Sequence, residues 1–472
     1  MASSPHDGTS ERDPVAFPMP FAERFVAGID ANRTAKDELT EALNRQGRRR
    51  RISVTDLVNP RQAFFQRTRP DIQPDPERKQ AMLAGTGFHE LFGRAVSTEE
   101  FVEQFVEFKG IVGKIDIYED GPVELKTTAS LPDGTAAARP SYVDQLGMYC
   151  TMTARVQGRL FVYKRAMYGR PGAFKAFDVR FRDLKTVERE MLRRRDLFQE
   201  ALAQGDPSAL PRCEWLDLGC DYRAVCGCAS AEPLSRVVPG STVAIAENHK
   251  VVATLTPLLT EAPKARPEFR LNDLVFPRKA LIERQAAAQP KLEDEDEGLE
   301  AALAGLARLG FGDALKDALW YGVPGAFSRI PVSLRSLKGR VGTFRGIPTI
   351  FRTTRKAKMV DRPQLVAEFP YYFDRIAFEC GLTGHDTGRI VVYYEVPRGD
   401  KFMVYDVHFR NLEEIRAEAD RRLALLEAGA EVEKLPPCEP SWMPRYCHLG
   451  PRCGCQSSPL TTAGPVDSKP HG

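Results

Sequence analysis

The sequence predicts an α/β protein made of two tandem copies of one domain, each closed at its C-terminal end by a four-cysteine segment. Three observations carry the prediction. Short strand patterns are interleaved with helical ones in both halves of the chain. Cys220, Cys226 and Cys228 recur as Cys447, Cys453 and Cys455 at a constant offset of 227, both sets ending in Cys-Gly-Cys. Longer stretches repeat with them. Phe174 to Leu184 (FKAFDVRFRDL) matches Phe402 to Leu412 (FMVYDVHFRNL), and Thr55 to Arg61 (TDLVNPR) matches Asn272 to Arg278 (NDLVFPR). Cys150 and Cys380 correspond in DQLGMYC and DRIAFEC, so all ten cysteines fall into five pairs. Such self-similarity marks a duplicated unit.

The chain divides accordingly. Residues 1–50 form an N-terminal extension with a helix-like pattern from Phe21 to Asn44 and a run of arginines, Arg48 to Arg51. The first domain spans 51–228, a Pro- and Ala-containing connector spans 229–267, the second domain spans 268–455, and a disordered tail rich in Ser, Pro and Thr covers 456–472. The connector holds one helix or strand around Ser241 to Leu258. The acidic stretch Glu293 to Glu297 reads as a solvated loop. Each copy ends on a long amphipathic helix, Leu184 to Gln204 and Leu412 to Ala428, that feeds the cysteines.

Composition sets the class. The 472 residues suffice for two or three domains with real cores. No apolar run approaches the roughly 20 residues of a membrane-spanning helix, so no membrane partner is expected. Met1 to Asp13 lacks a hydrophobic signal core, which predicts a cytoplasmic protein. A net charge of +3 does not by itself announce nucleic acid. The arginine run and Arg355-Lys356-Ala357-Lys358 are local basic clusters that suit phosphate or open solvent equally.

The chemistry concentrates in Gly113 to Lys126 (GKIDIYEDGPVELK). It reads as a strand ending on Asp116, a tight Glu-Asp-Gly-Pro turn, and a second strand. Strand alternation puts Glu124 and Lys126 on one face with Leu125 opposite, and the hairpin brings Asp116 beside them. Two carboxylates and an ammonium on one sheet face suit a Mg²⁺ site for phosphodiester cleavage. Upstream, His89 lies on a helix (GTGFHEL). Downstream, Gln145 and Tyr149 fall four apart on one helical face, followed by a buried strand from Gly158 to Arg165. Plainer readings exist for each: a surface histidine, helix packing, a surface salt bridge. The ordered company of all six outweighs them.

His on a helix, Asp, Glu-x-Lys, then Gln-x-x-x-Tyr: at these residues, across roughly Ile52 to Cys228, the sequence resembles the RecB-like branch of the PD-(D/E)XK nucleases. Within it the chain is most similar to the CRISPR-associated and phage-borne exonucleases that carry an iron–sulfur cluster. The resemblance implies a mixed central sheet flanked by helices in each copy. It implies Asp116 and Glu124 as ligands of Mg²⁺ or Mn²⁺, His89 as a third and the Leu125 carbonyl as a possible fourth. Lys126 would be the catalytic lysine, with Gln145 and Tyr149 positioning the strand or the scissile phosphate. Exonuclease action on DNA ends, single-stranded ones above all, comes from the resemblance alone, as do partners in a repair, phage or CRISPR-adaptation complex.

The second copy lacks this chemistry. GKIDIYEDGPVELKTT lies over GRVGTFRGIPTIFRTT, so Asp116 becomes Gly342, Glu124 becomes Ile350 and Lys126 becomes Arg352. His89 falls on Gly312, Gln145 on Arg375 and Tyr149 on Glu379. The second copy is therefore expected to be a pseudonuclease, either binding DNA through Arg352, Arg355, Lys356 and Lys358 or packing inertly. Its cysteines persist without the chemistry, which assigns them to the fold.

Each cysteine set reads Cys, a gap of six or eight, Cys, five, Cys, one, Cys: Cys213, Cys220, Cys226, Cys228 and Cys438, Cys447, Cys453, Cys455. Four thiolates hold either a 4Fe–4S cluster or tetrahedral Zn²⁺. In the resembled family one ligand lies upstream of a Pro-Arg pair, where this chain has Asn59 and Phe276. Cys213 and Cys438 are the candidate replacements. The leading expectation is a metal-dependent DNA nuclease. Its rival is a non-catalytic DNA-binding or scaffold subunit.

Overall fold

The computed structural model describes residues 21–45, 51–128, 139–165, 172–214, 220–260, 268–286, 295–356, 358–360, 364–396, 399–438, 449 and 453–455. Arg48 to Arg50, Cys447 and the 456–472 tail lie outside the described residues. The elements run β1 (Val26–Ala31), α1 (Arg33–Asn44), β2 (Ile52–Ser53), α2 (Val54–Val58), α3 (Pro60–Thr68), α4 (Pro76–Val96), β3 (Val102–Phe108), β4 (Ile111–Tyr118), β5 (Pro122–Thr128), α5 (Pro140–Met152), β6 (Gln157–Lys164), β7 (Ala173–Phe181) and α6 (Leu184–Gln204). They continue with α7 (Val237–Gly240), β8 (Thr242–Glu247), α8 (His249–Thr260), α9 (Leu271–Val275), α10 (Pro277–Ala286), α11 (Glu295–Gly322), β9 (Phe327–Leu334), β10 (Leu337–Phe344), β11 (Ile347–Thr354), α12 (Leu365–Glu368), α13 (Pro370–Thr383), β12 (Thr387–Tyr394), β13 (Phe402–Phe409) and α14 (Leu412–Glu427). None of the described helices is long and apolar enough to cross a membrane.

The strands form two mixed sheets, β2-β4-β5-β6-β7-β8 with β3 also on β4, and β1-β13-β12-β11-β10-β9. In each, an antiparallel hairpin (β4–β5, β10–β11) leads through a buried helix (α5, α13) into a parallel partner (β6, β12). A parallel neighbour requires such a crossover, and the helix covers the sheet face it crosses. Alternation is clean in β4, where Ile111, Gly113, Ile115 and Ile117 turn inward. Helix α6 opens on an Asp183 cap and ends on Gly205 at φ +69°.

The registers of the two halves superpose residue by residue. Glu124 pairs with Leu160 and Leu160 with Phe177; Ile350 pairs with Ile390 and Ile390 with Tyr405. Each half also buries the same charged triad. Arg194 binds Asp144 at 2.6 Å and Glu190 at 2.7 Å. Arg422 binds Glu418 at 2.7 Å and lies 3.8 Å from Asp374.

Three local expectations change. Residues 241–258 hold both a strand and a helix, β8 and α8, rather than one element. Glu295 to Glu297 opens α11 instead of lying in a loop. And Phe21 to Asn44 holds a strand, β1, after a 3₁₀ turn at Phe21–Phe25; it pairs antiparallel with β13, so part of the N-terminal extension belongs to the sheet of the second half. Five or six residues at a sheet edge carry too little periodicity to show this in sequence.

Candidate active site

Strands β4 and β5 pair only at the turn, Ile117 with Val123 and Tyr118 with Pro122. Just beyond, the Asp116 carboxylate takes the place of a ladder carbonyl: its Oδ2 accepts the Leu125 N–H at 2.7 Å. That bond fixes Asp116 beside β5. Glu124 and Lys126 share a face, as alternation requires, while the Leu125 side chain joins the core. The Lys126 ammonium lies 2.5 Å from Glu124 Oε1 and donates to Gln145 Oε1 at 2.7 Å.

Helix α5 delivers Gln145 and Tyr149 one turn apart. Gln145 Nε2 donates to the Tyr149 hydroxyl at 3.3 Å, and that hydroxyl donates to the Lys114 carbonyl at 2.9 Å. Gly113 makes the approach possible, because a Cβ there would sit 2.7 Å from the Tyr149 ring. Helix α4 brings His89, whose Nδ1 lies 3.3 Å from Asp116 Oδ1. Phe88 anchors that turn by stacking on Tyr163 at 4.6 Å. All six predicted residues thus converge from two helices and a hairpin. Tyr142, outside the six predicted residues, joins the site with its ring 5.7 Å from the Lys126 ammonium. Its signal was present: Tyr372 stands at the matching position, 5.7 Å from Arg352.

The electrostatics are uneven. Burial pushes the Glu124 carboxyl up to about 7, against the pull of Lys126 and with the added push of Asp116. Burial also opposes ionisation of Asp116, but the His89 ring, the Leu125 N–H and Lys126 together hold its carboxyl below the usual range. Lys126 is desolvated too, yet Glu124 and Asp116 outweigh this and raise its ammonium. Glu124 Oε2 is buried without a hydrogen-bond partner among the described residues. A buried lone carboxylate oxygen is costly unless something compensates it.

That orphaned oxygen, with Asp116 and the His89 ring nearby, is the donor chemistry of a hard divalent cation. Among the described residues, however, no group of three or more His, Cys, Asp or Glu side chains is arranged to hold a metal ion. The carboxylates are engaged by groups of the chain itself, Glu124 by the Lys126 ammonium and Asp116 by the His89 ring.

The matching place in the second half is rebuilt. Arg352 is pushed below its ordinary value by burial and by Arg375, and Arg375 pairs with Glu379 at 2.6 Å. Of the basic cluster, Arg355 pairs with Glu395 at 3.2 Å, Lys356 with Glu368, and Lys358 is exposed.

At the cysteines, Cys213, Cys226 and Cys228 are buried and Cys220 is half-buried. Hydrogen bonding from the Cys213 thiol, helped by Cys226 and Arg61, lowers Cys228 to about 5, while Cys213 is raised. The second set repeats this: Cys438 lowers Cys455 to about 5. Cys213 Sγ accepts the Gln62 N–H at 3.4 Å, so it sits beside the Pro60-Arg61 pair. Arg61 ties the segment down, donating to the carbonyls of Leu210, Cys226 and Ser208 at 2.7, 2.7 and 3.0 Å. Arg278 does the same for Leu435 and Cys453.

No family model matches the chain. No curated protein matches it either. Among solved structures, one described as "Crystal structure of SSO0001" is similar at 17% identity over 45% of this chain and 98% of that one, with a TM-score of 0.26, a likeness that carries no argument about function.

Proposed function

We propose that the protein is a cytoplasmic, metal-dependent deoxyribonuclease of the RecB-like PD-(D/E)XK type whose first half cuts phosphodiesters and whose second half does not. The observation that carries this reading is the convergence of His89, Asp116, Glu124, Lys126, Gln145 and Tyr149 on one orphaned, buried carboxylate oxygen. A bound Mg²⁺ or Mn²⁺ would supply an activated water and charge neutralisation at the phosphate. Asp116, Glu124 and His89 would hold it, with the Leu125 carbonyl as a further donor. Lys126, released from Glu124, would face the developing charge. Gln145 and Tyr149 hold Lys126 and the β4 backbone in place.

Attack on single-stranded DNA ends and a 4Fe–4S cluster on each cysteine set, with Zn²⁺ as the alternative, belong to the same reading. The local thiol sets and their Arg61 and Arg278 ties support a role for the clusters in closing each half. The rival reading, a non-catalytic DNA-binding scaffold of a repair, phage or CRISPR-adaptation complex, is favoured by the Lys126–Glu124 pair, which satisfies both charges without a metal.

End-labelled single- and double-stranded DNA, incubated with Mn²⁺ and wild-type protein, Asp116→Ala or Glu124→Ala, separates the two. A nuclease degrades DNA only with metal and loses at least about a hundredfold in rate in either variant while still binding DNA. Unchanged behaviour of both variants, or no cleavage by anaerobically purified wild type, would leave the scaffold.

A further inference from the structure

The two halves exchange straps. The segment before each core, β1–α1 in the first half and α7–β8–α8 in the second, does not complete its own sheet. β1 pairs with β13 of the second half, and β8 pairs with β7 of the first. The registers are equivalent, Val26 on Phe409 and Ala31 on Tyr405 against Thr242 on Phe181 and Glu247 on Phe177, and each carries one irregularity at the same place.

The grips are equivalent as well. Asn32 donates to Asp406 at 2.8 Å and Asn248 to Asp178 at 2.6 Å; the aspartates are held in turn by Arg389 and Arg159. At the other end, Asp374 accepts the Ala22 N–H at 2.9 Å, and Arg194 donates to the Ser235 carbonyl at 2.8 Å. The buried triads therefore clasp the incoming straps.

The exchange reaches the active site through α4. Leu259 of α8 and Leu303 of α11, both from the second half, lie in one buried cluster with Phe88, Phe92, Leu125 and Phe161. Helices α4 and α11 cross at Gly87 and Gly310, where a Cβ on either would run into the carbonyl of the other. Gly87 is two residues from His89.

We infer that the second half is the brace that positions the His89 helix, and that the exchanged straps make the two halves one obligate unit. The first half folded alone would expose the β7 edge and the apolar back of α4. Strap exchange is independent of the nuclease reading; the effect on His89 rests on it.

The test has two arms. First, residues 1–232 and 233–472 are co-expressed as separate chains. They should purify as a 1:1 particle of the intact chain's mass, and starting the first chain at residue 45 should weaken association by roughly a hundredfold. Halves that separate as folded monomers, or whose affinity ignores the strap, overturn the exchange. Second, Mn²⁺ binding to the intact chain is measured by calorimetry for Gly310→Ala and Leu303→Ala beside Gly305→Ala, whose Cβ meets nothing within 4 Å. The first two should weaken Mn²⁺ by about tenfold and the control should not. Should Gly310→Ala fail to fold, Leu303→Ala decides, since it removes atoms and adds no clash. Unchanged Mn²⁺ affinity in Leu303→Ala overturns the brace. Braced Mn²⁺ binding without DNA cleavage by wild type would sink the nuclease reading and leave the brace standing.

Discussion

Glu124 is where burial and the proposed metal site pull against each other. Its carboxyl, raised to about 7, holds a proton more tightly in the native state than in the unfolded chain. The resulting stabilisation is complete below the ordinary carboxyl value, and it is lost as pH climbs to about 7. A metal ion needs the ionised form, so metal binding must release that proton. Mn²⁺ affinity should therefore fall about tenfold per pH unit below pH 7 and level off above it, with close to one proton released per ion in the acid limb. Calorimetry in buffers of different ionisation enthalpy measures both quantities. Glu124→Gln should flatten the dependence; a steep profile in that variant would place the titrating group elsewhere. Asp116, Glu124 and Lys126 were legible because strand alternation and a tight turn fix their faces. A salt bridge among them was the plainer reading set aside, and the buried Glu124–Lys126 pair could not be chosen from pattern, since alternation places side chains on a face without saying which partner they take.

At the scale of elements, the last long helix of each half, α6 or α14, is locked by a buried arginine. Arg194 is almost fully buried, with Asp144 and Glu190 as its counter-ions, and burial raises Asp144 to about 6 despite that pairing. Removing the guanidinium strands Asp144 in the core and leaves Glu190 with Arg193 alone. Arg194→Ala should cost about 3–5 kcal/mol in urea denaturation, and Arg422→Ala a similar amount. Lys338→Ala, which breaks the exposed pair with Glu268, should stay within about 0.5 kcal/mol. If Arg194→Ala were equally mild, the triad would be a bystander. The helices that carry these arginines were visible in the sequence from their amphipathic length. Their buried charge was not, because an arginine in a charged helix reads as solvent-facing until the neighbouring element covers it.

For the whole molecule, reciprocal straps predict joint unfolding. Chains with two domains ordinarily melt in more than one step. Here the first sheet cannot lose β8 without disturbing α8 and α11, nor the second sheet β1 without α1. Scanning calorimetry of the protein should show one transition, with Arg422→Ala lowering it as a whole rather than splitting off a second-half peak. Two resolved transitions in wild type would mean that the straps couple the halves only weakly.

The α/β class, the correspondence of the two halves and the six residues that meet at the hairpin are legible in the chain alone, because each is written in local period, spacing or repetition. Glu124 against Ile350 and Lys126 against Arg352 were matched from the alignment and recur in the strand registers. Which half each strap serves is set by packing between distant segments. Val26 to Ala31 and Thr242 to Glu247 are short edge strands that either β7 or β13 could accept by pattern alone. The choice is made by long-range contacts, Asn32 to Asp406, Asn248 to Asp178 and Gly87 against Gly310, between residues hundreds or tens of positions apart that leave no local trace in the chain.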